Sequence, residues 1–363
     1  MTARDGQPRA AVAAARRVVV KIGSKTLASD SEVYGRIAQS FEKAQKKGRS
    51  LVLVSSGAIA LGYKKLGYRA RPKEMARLQA AAAAGQSLLM RAYEESFAAR
   101  GLRVAQVLLT HADLADRTRA NNARGALGAL LEAHCVPVLN ENDSVSVEEI
   151  KFGDNDQLAA MVAPLVDADL LVLLSDVEGL LDASGRRVAT VTDASVAQSL
   201  VRAGGSDVGT GGMASKIEAA RRATLAGAEV VVADARAPGI LDDVLAGKDV
   251  GTHFLAAKNR LSARRHWIAF TLRPRGDVIL DVGAAVAVRE KKKSVLFVGV
   301  LGVRGDFAEG DAVRLLDGAG KELGRGLACV GAADAVRRAG HGSADGASEL
   351  VHRDDLVVWD VTS

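Results

Sequence analysis

Six apolar runs, each closed by a polar or glycine turn, do most to limit what this chain can become. They are 17–22, 50–55, 103–109, 136–139, 169–174 and 229–233. Valine and leucine fill most of them almost without a break. A short continuous run suits a strand buried on both faces, as in parallel sheets covered by helices. Between the runs lie stretches with helical spacing, at 33–47, 76–100, 119–134, 158–165 and 217–225. Gly85 is expected to interrupt or bend the second, and 62–72 reads as a loop. Strand and helix therefore alternate, which predicts an α/β fold: an open, mostly parallel sheet sandwiched by helices.

That pattern stops near Gly251. Short strand-like segments at close spacing follow, at 267–272, 277–280, 284–288, 296–303, 312–316 and 327–330, split by Gly and Asp turns. They predict a small C-terminal β-barrel. A chain of 363 residues is also long for one core. The expected division is a disordered tail at 1–15, a first domain at 16–257, a linker at 258–265 and a second domain at 266–363.

Composition removes several function classes. The first 256 residues hold 32 basic and 29 acidic side chains, and the rest hold 17 and 14. An excess of three in each part makes neither a strong polyanion magnet, which argues against RNA as the main partner. Lys291–Lys293 reads as a solvated hairpin tip. Two cysteines, Cys135 and Cys329, cannot build a disulfide scaffold and fit a reducing, cytoplasmic setting. No histidine stands at metal-ligand spacing from another or from a cysteine, so no protein metal site is expected. No run is long enough to span a bilayer.

In open α/β sheets, ligands bind beyond the carboxyl ends of the strands. Here those ends carry complementary chemistry: Lys21 and Gly23, then Ser56 and Gly57, then Asn140 and Asp143, then Ser175 and Asp176. Two further clusters open helices. Asp154-Asn155-Asp156 precedes the apolar pattern at 158–165, and Asp154 or Asn155 is placed to cap that helix. Gly209-Thr210-Gly211-Gly212-Met213-Ala214-Ser215-Lys216 precedes the pattern at 217–225, where backbone N–H groups can cradle phosphate. Singly, each has an ordinary explanation as a cap, a turn or a strand end. Together, on one sheet, they describe a phosphate-handling pocket. It is not a Walker-type site, since no G-x-x-x-x-G-K-[ST] occurs, nor a Rossmann one, since 203–207 is no apolar strand.

The segments VVVKIGS (18–24), VSSGAIALG (54–62), PVLNENDSV (137–145), IKFGDNDQL (150–158), LLSDVEGL (173–180) and GTGGMASK (209–216) resemble those of the glutamate 5-kinases, enzymes of the amino-acid kinase fold. The likeness runs over 16–363, and 266–363 resembles a PUA domain. The resemblance implies ATP-dependent phosphorylation of the L-glutamate side-chain carboxylate, the first step of proline synthesis, with Mg²⁺ accompanying ATP. It implies that Lys21 and Lys216 act on the moving phosphoryl group and that Asp156 orients them. Gly23, Ser175, Asp176 and Gly209 through Lys216 would form the ATP site. Ser56, Gly57, Asn140, Asp143, Asp154 and Asn155 would form the glutamate site. It further implies feedback inhibition by proline, homo-oligomers and a downstream glutamyl-phosphate reductase. Lys25 departs from the family pattern, in which a small or hydroxyl residue is usual. Two alternatives stay open: another amino-acid kinase, such as an acetylglutamate or aspartate kinase, and an RNA-binding protein with a kinase-like scaffold.

Overall fold

The computed structural model describes residues 9–29, 32–145, 155–194, 197, 212–342 and 349–359. The chain divides into two compact units, one ending at Arg260 and the other starting at Leu261.

The first unit is built on an eight-stranded sheet. Its strands are β1 (Arg17–Ile22), β2 (Ser50–Ser55), β3 (Arg103–Leu109), β4 (Cys135–Glu141), β5 (Leu170–Ser175), β6 (Thr190–Val191), β7 (Glu229–Asp234) and β8 (Thr252–Phe254). They lie in the order β3-β4-β2-β1-β5-β7-β8-β6. Every pair is parallel except β7 with β8. The chain leaves β1 towards β2 on one side and later returns to β5 on the other. Ligand crevices form at such reversals of strand order.

Both faces of the sheet are buried, which is why the strands read as unbroken apolar runs. Val18, Val20 and Ile22 pack with Phe41, Tyr93 and Phe97 on one face. Val19 packs on the other with Leu158, Val162, Ile217 and Ala220. Leu170, Val172 and Leu174 against Leu171 and Leu173 repeat the alternation. Period-two alternation makes Lys21 point to the same face as Val19.

Three expectations for this unit need correction. Residues 9–15, assigned to a disordered tail, are not loose. Ala10–Ala14 is a helix, α1, with Val12 fully buried. The Arg9 guanidinium anchors it on Val250 O at 2.6 Å, Ala189 O at 2.9 Å and Asp249 at 2.7 Å. Next, α2 (Ser24–Ser29) and α3 (Val33–Lys46) are followed by α4 (Ala58–Lys65), which occupies the first residues of the segment read as a loop. Finally, α5 (Met75–Ala98) runs unbroken through Gly85. Gly85 serves a close helix crossing. A Cβ there would lie 1.8 Å from Ala58 O, and one at Gly62 would lie 1.7 Å from Ala81 O. Two glycines let the backbones of α4 and α5 touch.

Among the described residues the remaining helices of this unit are α6 (His111–Ala115), α7 (Arg117–Glu132), α8 (Asp156–Leu165), α9 (Met213–Ala226) and α10 (Ile240–Leu245). Thr110 and Asp113 make a reciprocal capping box on α6.

The second unit has a six-stranded sheet: β9 (Gly276–Leu280), β10 (Val295–Leu296), β11 (Val300–Gly305), β12 (Ala312–Leu316), β13 (Glu322–Ala328) and β14 (Glu349–Val358), in the order β10-β14-β13-β12-β9-β11. Its edge strands β10 and β11 are joined by a single 3₁₀ turn, Phe297–Gly299. Laid flat, six strands would set those edges roughly 24 Å apart, at about 4.8 Å per neighbour. The short link reaches at most about 14 Å. The sheet therefore curls round on itself, and a core of Val278, Leu280, Phe297, Val313, Leu315 and Leu350 fills it.

Two segments of this unit read as strands are helical. Ala263–His266 (α11) starts inside the segment read as a linker, capped by the Ser262 side chain, and continues as a π-helical turn over Trp267–Thr271. A short apolar run buried all round has no periodicity to tell helix from strand. Val282–Lys291 forms α12, because Asp281 caps it by accepting from Ala284 N at 2.6 Å and alanines follow. Lys291–Lys293 consequently ends a helix, with Lys292 at φ +46°, rather than tipping a hairpin. Ala332–Arg338 is the last helix among the described residues, α13.

Candidate active site

Lys21 sits one residue from the carboxyl end of β1 and, by strand parity, faces α8 and α9. Asp156 is the first residue of α8, and Lys216 lies in the first turn of α9. The three meet. Lys21 Nζ is 2.6 Å from Asp156 Oδ1, and Lys216 Nζ is 3.1 Å from Asp156 Oδ2. Asp156 is fully buried, and the two lysines are nearly so. One carboxylate thus bridges two ammonium groups that would otherwise repel at close range. Its place in the first turn of α8 adds the favourable end of the helix dipole.

Next to this trio lies a chain of amides. Asn140, buried near the end of β4, donates from Nδ2 to Gln86 Oε1 at 2.8 Å. Its Oδ1 accepts from Glu141 N at 3.0 Å and from Asn155 Nδ2 at 2.6 Å. Asn155 Nδ2 also donates to Ser55 O. Asp154 or Asn155 was expected to cap α8, and Asp154 lies outside the described residues. Asn155 occupies the cap position but makes no side-chain cap bond, because its amide is drawn into this chain. Ser55 Oγ is 2.8 Å from the hydroxyl of Tyr93, whose phenol is pushed upward in pKa by complete burial.

Gly57 turns the backbone out of β2 into α4 at φ +105°, a conformation that favours glycine. That turn leaves Ser56 Oγ buried with no hydrogen-bond partner among the described residues. A buried hydroxyl is costly to leave unsatisfied and suits a ligand. Asp143 lies two residues beyond β4 and is half-buried.

On the other flank, Ser175 Oγ donates to Asp176 Oδ1 at 3.1 Å, beyond β5. Lys25, in the first turn of α2, reaches Asp176 Oδ2 at 3.0 Å. Its hydrogen bond holds the Asp176 carboxyl below the usual value, against the opposing effect of partial burial. Arg236 donates to Asp176 O at 3.0 Å while gripping Asp234. Gly23 follows β1, and its Cα hydrogen faces Lys21 Nζ with room for a Cβ. Gly212 is the cap residue of α9, and Met213, Ala214 and Ser215 form its first turn beside Lys216. Gln157 Nε2 donates to Ser215 O at 3.1 Å, tying α8 to α9. Asp154, Gly209, Thr210 and Gly211 lie outside the described residues.

Sequence reasoning missed Gln86, Gln106, Gln157 and Arg236. Gln106, a lone amide in the apolar run of β3, was the one visible signal. It accepts from Gln86 Nε2 at 3.2 Å.

The model of the Amino acid kinase family matches residues 16–234, and that of the PUA domain matches 276–348. With glutamate 5-kinases 44–49% identical to it over nearly its whole length, the chain belongs to the amino acid kinase family and, within it, to the glutamate 5-kinases. A glutamate 5-kinase of Myxococcus xanthus (strain DK1622) is 49% identical over 96% of this chain and 98% of its own length. One of Chromobacterium violaceum is 44% identical over 95% of this chain and 98% of its own. The solved structure of Giardia carbamate kinase aligns with a TM-score of 0.49 and 18% identity, over 67% of this chain and 99% of that one. Among the described residues no helix is long and apolar enough to cross a membrane.

Proposed function

We propose that the chain transfers the γ-phosphoryl group of ATP to the side-chain carboxylate of L-glutamate, giving L-glutamyl 5-phosphate, the first step of proline biosynthesis. The observation that carries the reading is the buried Lys21–Asp156–Lys216 bridge at the carboxyl edge of the central strand. The family relationship supports the same reaction.

The chemistry needs no general base. A glutamate side chain, with a reference pKa of about 4.3, is already ionised at neutral pH. The difficulty is the approach of two anions, and fixed positive charge around the transferring group answers it. Lys21 and Lys216 supply that charge, and Asp156 positions them. Ser175, Asp176 and Gly209 through Lys216 hold the nucleotide, with Gly23 leaving space beside Lys21. Ser56, Gly57, Asn140, Asp143 and Asn155 hold glutamate, with Asp154 beside them. Among the described residues no group of three or more His, Cys, Asp or Glu side chains is placed to hold a metal. Mg²⁺ would accompany ATP and would add charge neutralisation to that of Lys21 and Lys216. Proline as feedback inhibitor, homo-oligomers, transfer of the acyl phosphate to a glutamyl-phosphate reductase and a cytoplasmic setting complete the reading, each supported by the family relationship alone.

The test is trapping of the acyl phosphate with hydroxylamine, dependent on ATP and Mg²⁺, with L-glutamate set against N-acetylglutamate and aspartate. Hydroxamate is expected with glutamate alone and is lost in Lys216→Ala. Folded protein that binds ATP yet turns over none of the three would refute the assignment.

A further inference from the structure

The proposed nucleotide site has an outer charge that the reaction does not require. Lys25 follows the glycine turn after β1 and reaches across to the loop after β5, where it pairs with Asp176 at 3.0 Å. The neighbouring cation, Arg236, is committed differently. It holds Asp234 through Nε at 2.9 Å and Nη2 at 2.7 Å, so its charge is matched locally. Lys25 has Asp176 as its one hydrogen-bonded or ion-paired partner among the described residues, and its side chain is 83% exposed. Asp176 is 40% exposed and also accepts from Ser175 Oγ. An exposed single-contact pair of this kind contributes little to stability and is easily rearranged. Its placement matters more: it spans the ends of β1 and β5, the strands carrying Lys21 and Ser175.

We propose that Lys25 is a nucleotide-affinity determinant, a third cation that attracts the ATP polyphosphate from the rim of the site without acting on phosphoryl transfer. The inference rests on the nucleotide site proposed above. A ligand hydrogen-bonded to Asp176 or Ser175 lies within a few ångströms of the Lys25 ammonium. When a polyanion enters, the ammonium can turn from Asp176 to it by rotation of an unpacked side chain. Because the group is exposed, its attraction is screened by salt, whereas buried Lys21 and Lys216 are screened far less.

Full-length protein and three variants test this: Lys25→Ala, Lys25→Arg and Lys25→Glu. Hydroxamate formation is followed against MgATP at low and high sodium chloride. Lys25→Ala is expected to raise KM for ATP about three- to fivefold at low salt, the size of effect one screened surface charge exerts. Lys25→Glu raises it further, and Lys25→Arg stays within twofold of the parent. In all three, kcat and KM for glutamate stay within twofold. The gap between the parent and Lys25→Ala closes at high salt. An unchanged KM for ATP would overturn the inference, and a lower one would show that Lys25 competes with the nucleotide for Asp176. Failure of the underlying reading looks different: the parent itself forms no hydroxamate, or titration with a non-transferable ATP analogue shows no binding.

Discussion

Replacing Asp156 by Asn tests the centre of the site. The carboxylate holds Lys21 at 2.6 Å and Lys216 at 3.1 Å, and none of it reaches solvent. At an effective dielectric near 20, each contact is a gross attraction of roughly 5–6 kcal/mol, most of it cancelled by desolvation. Removing one partner of a buried pair leaves charge uncompensated, at a net cost of about 3–5 kcal/mol. Asn keeps the shape but offers one carbonyl oxygen to two ammonium groups and turns an NH₂ towards a cation. The apparent Tm is expected to fall by roughly 10 °C at 2–4 °C per kcal/mol. Turnover should fall on the order of 100-fold, as when one preorganised electrostatic contact is lost. The polyphosphate can replace the missing anion, so a non-transferable ATP analogue should raise the Tm of Asp156→Asn by more than that of the parent. Urea unfolding, thermal shift with the analogue and the hydroxamate assay read all three. A variant with parental kcat and urea midpoint would refute the organising role.

Two further perturbations follow from the packing. Gly85→Ala puts a methyl group 1.8 Å from Ala58 O, so α4 and α5 must part by more than an ångström; at about 1–3 kcal/mol for such overpacking, Tm should drop by about 2–12 °C. Ser56 stands just before α4, so KM for glutamate should rise with it; a Gly85→Ala protein with unchanged Tm would show that the helices yield freely. Asp249 is held below its ordinary pKa of 3.8 by Arg187 first and by Arg9, against the opposing effect of burial. Its folded value being depressed, the stability it confers is full above pH 3.8 and is lost as pH falls through the lower folded value. Asp249→Asn should therefore lower the urea midpoint at neutral pH, while losing less than the parent does between neutral pH and pH 3; an equal loss in both would deny the linkage.

The sheet, and the placing of much of the candidate site along its carboxyl edge, were legible because both rest on one-dimensional signals. A run such as Val18–Val20 must be buried on both faces, and the polar residues that end it must lie at the sheet's carboxyl edge. What brings Lys21 to Asp156 and Lys216 is less visible: strand parity sends Lys21 to the face of α8 and α9, and only the sheet order shows that these helices cover it. The misses have a common cause. Gly85 looked like a break, since its reason lies in another helix. Residues 9–15 looked loose because Arg9 finds its partners at 189 and 249–251, far along the chain. Residues 284–288 looked like a strand because valines alternate there with alanines, and one side-chain bond from Asp281 decided otherwise.

The same geometry explains why lysines can wait at a buried site without substrate. Two ammonium groups left together in a low-dielectric place would destabilise the fold or lose their protons. The carboxylate between them removes that penalty, and its own burial is eased by the N–H groups and dipole at the start of α8. Charge therefore alternates outward from the helix end: positive backbone, negative Asp156, then positive Lys21 and Lys216. The next position in that series is an anion, and in the proposed reaction the transferring phosphoryl group would take it. Because Asp156 is tied to α8, Lys21 to β1 and Lys216 to α9, three separate elements fix the two cations in place, ready for the phosphate of the proposed reaction. A site so preorganised spends little free energy reorienting during transfer, which is the condition for electrostatic stabilisation to favour the transition state over the bound substrates.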